Sequence, residues 1–129
     1  MPERCDQRVV LVVEDNPSNL MLVSAVLKRA GYTPVAAGSA EEARRVLERT
    51  RPSLILMDVQ LPGQDGLSLA GQLKADPATR AIPIVALTAH AMEEHRQRAL
   101  AAGCDGYIAK PINTRTFVGE IEAVLGIAG

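Results

Sequence analysis

Three stretches of this sequence are apolar almost without interruption: residues 9–13 (VVLVV), 53–57 (SLILM) and 83–87 (PIVAL). A strand with one face in water alternates apolar and polar residues. These runs do not alternate, so they suit strands buried on both faces, as in a parallel sheet covered by helices. Residues 33–37 (TPVAA) and 106–109 (GYIA) are shorter and less regular runs of the same kind.

The segments between the runs carry helical punctuation. Asn16-Pro17 supplies an N-cap and a proline at the first helical position. Leu20, Val23, Leu27 and Ala30 follow at helical spacing, and Gly31 stops that helix. Ser39 caps a second helix with Glu41 and Glu42 in its first turn. Glu41–Arg45 and Arg44–Glu48 are expected to pair on its exposed face. A third helix is expected over about 65–75, a fourth over about 91–102 ending at Gly103, and a fifth from Asn113 or Thr114. Strand and helix thus alternate five times, which predicts a doubly wound α/β sheet.

The chain has 129 residues, the size of one domain. Residues 1–8 read as a polar leader and 9–127 as the domain, with no output domain attached. The formal charge is −1, so there is no basic excess to bind a nucleic-acid backbone. Tyr32, Tyr107 and Phe117 are the only aromatics, too few to stack bases. No run reaches the ~20 apolar residues of a membrane span, and the N-terminus lacks a signal core, so a cytoplasmic location is expected. Two cysteines cannot build a disulfide framework, and Cys104 reads as a small core residue.

Chemistry in open parallel sheets lies beyond the carboxyl ends of the strands. Glu14 and Asp15 follow the first run, Asp58 the third, Thr88 and Ala89 the fourth, and Lys110 and Pro111 the fifth. Any one of these alone reads as the start of a loop. Together they place three carboxylates, a hydroxyl and an ammonium at one edge of an otherwise apolar sheet. His90 and His95 stand at no metal-ligand spacing and read as surface residues.

The pattern resembles the receiver domain of two-component response regulators. The resemblance rests on VEDN at 13–16, LMDVQLPG at 56–63, DG at 65–66, LTA at 87–89 and GYIAKPI at 106–112. It is most like stand-alone DivK-type regulators and the receivers of hybrid histidine kinases. The family implies a flavodoxin-like (CheY-like) fold with strand order 2-1-3-4-5, which brings Glu14, Asp15 and Asp58 together and sets Thr88 and Lys110 beside Asp58.

Clustered carboxylates repel, and a divalent cation with hard oxygen ligands relieves them. By resemblance, Mg²⁺ is held by Asp15, Asp58, Glu14 and the backbone carbonyl of Gln60. Asp58 matches the phospho-acceptor, and its phosphoryl group would contact Mg²⁺, Lys110, the Thr88 hydroxyl and the Ala89 N–H. Thr88 and Tyr107 match the switch pair, and Gln60 and His90 occupy positions that tune phosphoryl lifetime. The partners implied are a histidine kinase or phosphotransfer protein upstream and a protein target downstream. The output face is expected on the fourth helix, fifth strand and fifth helix of a monomer or weak dimer, with no nucleic acid or membrane involved.

Four other readings are weighed. A haloacid-dehalogenase-type phosphatase needs Asp-x-Asp, but Gln60 stands two residues after Asp58 and cannot transfer the proton. A dinucleotide or P-loop nucleotide site lacks its glycine motif. A receiver-like module that is never phosphorylated usually lacks the acceptor Asp, the acid pair or the Lys, and Asp58, Glu14, Asp15 and Lys110 are all present here. A receiver cut from a hybrid kinase shares the same chemistry. The expectation is therefore a signalling phospho-acceptor rather than an enzyme that turns over a substrate.

Overall fold

The computed structural model describes residues 6–61, 64–88, 93–109 and 112–125. Strands β1 (Asp6–Val13), β2 (Thr33–Ala37), β3 (Pro52–Asp58), β6 (Ile84–Thr88) and β7 (Gly106–Ala109) form one parallel sheet in the order β2-β1-β3-β6-β7. This is the expected 2-1-3-4-5 arrangement. A two-residue antiparallel ribbon, β4 (Gln60–Leu61) with β5 (Gln64–Asp65), follows β3 and had no counterpart in the sequence reading.

The unbroken apolar runs are explained by two cores. On one face, Val10, Val12, Leu54, Leu56, Val85 and Leu87 pack with Val23 and Leu27 of α1 (Pro17–Arg29) and Phe117 and Ile121 of α5 (Phe117–Leu125). On the other, Leu11, Val13, Ile55, Met57, Ile84 and Ala86 pack under α2 (Ala40–Arg49), α3 (Gly66–Ala75) and α4 (Glu93–Ala101). Neighbouring strand residues therefore point into opposite cores, and neither face is left for a polar residue.

Local chemistry sets the helix ends. Asn16 Oδ1 accepts from Ser18 N–H (2.9 Å) and Asn19 N–H (3.1 Å), while Gly31 closes α1 with a positive φ of 93°. Ser39 Oγ accepts from Glu42 N–H, and the Glu42 carboxylate reaches back to Gly38 N–H. The Glu41–Arg45 pair forms at 3.0 Å, and Arg44 reaches across to Gln72 of α3.

Two boundaries move by three residues or more from those the sequence predicts. β1 starts at Asp6, because strand pairing uses backbone groups and Asp6 is paired with Pro52 whatever its side chain. α5 starts at Phe117 rather than at 113 or 114. Asn113 instead organises a turn, accepting from Arg115 N–H on Oδ1 and from Thr116 N–H on its carbonyl. Among the described residues, no helix is long and apolar enough to cross a membrane.

Candidate functional site

The register of the sheet builds the site. Val13 is opposite Met57, so the residues that follow, Glu14 and Asp58, leave adjacent strands side by side. Glu14 extends the ladder by one step, its N–H donating to the Ala37 carbonyl at 2.9 Å. Asp58 is paired with Leu87, and Val59 N–H donates to the Leu87 carbonyl at 3.0 Å. Thr88, the last residue of β6, thus sits one step beyond the partner of Asp58 on the neighbouring strand.

Glu14, Asp58 and Thr88 are 1%, 5% and 3% exposed, whereas Asp15 is open to solvent. One carboxylate oxygen each from Glu14, Asp15 and Asp58 lies within 4.8 Å of the others. Two unit charges at that separation repel by about 3.5 kcal/mol at an effective dielectric of about 20, less where one is exposed. The three supply hard, anionic oxygen donors, the set that suits Mg²⁺ or Ca²⁺ and not a soft metal. Their carboxylate oxygens are close enough together that Glu14, Asp15 and Asp58 would hold such an ion between them.

Tyr107 lies in the middle of β7, half-buried, paired with Ala86 and packed against the core under α2, α3 and α4. Side chains two apart on a strand share a face. Ala86 and Thr88 therefore point the same way, and Tyr107 stands diagonally across from Thr88 on that face. Gln60 opens the ribbon opposite Asp65. Ala89, His90, Lys110 and Pro111 lie outside the described residues, as does the side chain of His95.

One contact had no sequence signal. The backbone N–H of Asn16 donates to Glu14 Oε2 at 3.2 Å. The N-cap role of Asn16 is legible in Asn-Pro, but its backbone bond to a buried carboxylate two residues earlier is a matter of local dihedrals that residue type does not reveal.

Residues 10–122 match the family model described as the response regulator receiver domain. The chain is 40% identical over 119 residues to the polar-differentiation response regulator DivK of Brucella anthropi, covering 92% of this chain and 97% of that protein. The fold superposes on the chemotaxis response regulator CheY4 of Vibrio cholerae with a TM-score of 0.86 at 29% identity, covering 92% of this chain and 98% of the other. It superposes with a TM-score of 0.84 at 36% identity on the receiver domain of a sensor histidine kinase from Pseudomonas aeruginosa PAO1, covering 93% and 98%. That crystal structure has a magnesium ion coordinated in its active-site cleft.

Proposed function

The chain belongs to the response regulator receiver domain family, and from that premise we propose that it accepts a phosphoryl group on Asp58. The donor is a phosphohistidine on a histidine kinase or phosphotransfer protein. The observation that carries this reading is the buried Asp58 at the end of β3, with Glu14 and Asp15 converging on it. In this reading the receiver unit spans residues 9–127, and the protein is a signalling phospho-acceptor that promotes only its own phosphorylation and dephosphorylation.

Glu14, Asp15 and Asp58, with the Gln60 carbonyl, are the groups that would hold Mg²⁺. The bound ion offsets the clustered negative charge and the charge that spreads over the phosphoryl oxygens in the transition state. Asp58 is the nucleophile. One of its carboxylate oxygens bonds to phosphorus as the P–N bond breaks, and the bonding pair leaves with the imidazole, which takes a proton from water. The product is an acyl phosphate. The Thr88 hydroxyl donates to a phosphoryl oxygen, and the family pattern adds the Ala89 N–H and the Lys110 ammonium. Exposed Met21 and Leu22, in the second turn of α1, offer apolar contact to the donor protein close to the acidic edge.

The message leaves through α4, β7 and α5. The shared face of Thr88 and Tyr107 supports this, since a pull on the hydroxyl is felt first by the neighbouring strand and what packs on it. Incubation with acetyl phosphate and Mg²⁺, read by intact mass, tests the proposal. The gain of one phosphoryl group, lost in Asp58→Asn, is expected. Rapid release of inorganic phosphate with no mass gain, or undiminished labelling of the variant, overturns it.

A further inference from the structure

We propose that Asn16 is the positioning residue of the acidic site and couples it to helix α1. The proposal rests on the reading of the cluster as a cation site. Asn16 uses three groups at once. Its N–H donates to Glu14 Oε2 at 3.2 Å, its Oδ1 accepts from Ser18 N–H and Asn19 N–H, and its carbonyl accepts from Leu20 N–H at 2.9 Å. It is exposed and lies outside the carboxylate cluster, so it acts through Glu14 and not on the ion.

Two local restraints hold it there. Pro17 disfavours the helical region for the preceding residue, and Asn16 is extended, with φ −84° and ψ 118°. The side-chain cap then ties that extended residue to the first turn of α1. The N–H is thereby held toward the buried carboxylate of Glu14. Asp15 is the single residue between Glu14 and Asn16, so its backbone is fixed at both ends. Loss of the cap frees the turn that orients two of the three carboxylates. The coupling runs both ways: an ion on the cluster steadies the start of α1, and a protein that grips α1 steadies the cluster.

The consequence is measurable without phosphorylation. Removal of a group that orients a metal ligand typically costs about 10–100-fold in affinity. Mg²⁺ titration followed by backbone amide NMR should show about tenfold weaker binding in Asn16→Ala, the low end of that range. Asn16→Ser keeps a capping oxygen and should restore wild-type affinity. Ser39→Ala removes the matching cap of α2, a helix that carries none of the three carboxylates, and should lower Tm similarly while leaving Mg²⁺ affinity unchanged. Wild-type binding with equal affinity in Asn16→Ala, or equal loss in Ser39→Ala, overturns the positioning role alone. Absence of saturable Mg²⁺ binding by the wild type overturns the cation reading and the positioning role with it.

Discussion

Lys74 Nζ and Asp105 Oδ2 form a 2.8 Å ion pair at the edge of the sheet opposite the acidic cluster, where β6 and β7 begin. The same Asp105 oxygen accepts from Ile84 N–H at 2.9 Å, and the same ammonium donates to the carbonyls of Ile82 (3.0 Å) and Arg80 (3.2 Å). Gly103 belongs to this arrangement. Its φ is +106°, and a Cβ there would stand 2.8 Å from Lys74 Cγ. The last turn of α3, the start of β6 and the turn into β7 are thus pinned by one lysine.

Lys74→Met should therefore cost more than its partner's neutralisation. It strips a donor from two backbone carbonyls and one carboxylate, for a loss of about 1–3 kcal/mol. Asp105→Asn keeps an acceptor for Ile84 N–H and loses only a partly exposed ion pair, for about 1 kcal/mol or less. Urea denaturation gives both values. Equal losses, or the reverse order, would show that the pair and not the carbonyl contacts holds this edge.

Cys104, beside this pair, is buried and its thiol is pushed up to about 11 from 9.0, first by burial and then by the Asp105 charge, with Lys74 opposing. Between those two values the unfolded chain has lost the proton and the folded chain keeps it. Stability contributed by the neutral thiol is then lost as pH rises through about 9 to 11, and below 9 there is no effect. Urea melts at pH 8 and pH 10 should show a smaller fall for Cys104→Ala than for wild type. Iodoacetamide at pH 8 should label Cys104 slowly in the native protein and quickly in urea.

The sequence made the fold legible because its runs at 9–13, 53–57 and 83–87 are apolar for a reason that holds over the whole sheet: both faces are covered. The strand-end residues were legible because Glu14, Asp58 and Thr88 break those runs at a common point. What escaped is what residue type does not encode. The ribbon at Gln60–Leu61 and Gln64–Asp65 is too short to show a period. Lys74 looks like any solvated lysine until three chain segments close around it. Cys104, by contrast, follows the usual burial of a free cysteine and packs into the core.

Asp15 gives a prediction with opposite signs in the presence and absence of cation. Without Mg²⁺, Asp15→Asn removes repulsion from Glu14 and Asp58, so the variant should be at least as stable as wild type. With millimolar Mg²⁺, wild type should gain stability by mass action, RT ln(1 + [L]/Kd), and the variant should gain much less. Tm measured with and without chelator checks both signs. A wild type whose Tm ignores Mg²⁺ would contradict the cation reading.

The last prediction concerns the route by which the proposed phosphorylation of Asp58 would be felt. Thr88 and Tyr107 share a face on adjacent strands, while α2 packs at the other end of the sheet, beside β1 and β2. A hydrogen bond from the Thr88 hydroxyl to a charged phosphoryl oxygen is worth about 1.5–3 kcal/mol. That moves a two-state equilibrium at least about tenfold, yet it cannot repack a core whose members from Leu11 to Ile121 are fully buried. The response should be a shift between two existing arrangements of β7 and the helices beside it. Titration with beryllofluoride, a phosphoryl mimic, followed by amide NMR should move residues of β7 and of 112–118 more than those of α2. Thr88→Ala should weaken the remote shifts while leaving those next to Asp58. Largest remote changes in α2, or remote shifts untouched in Thr88→Ala, would place the output on a different face.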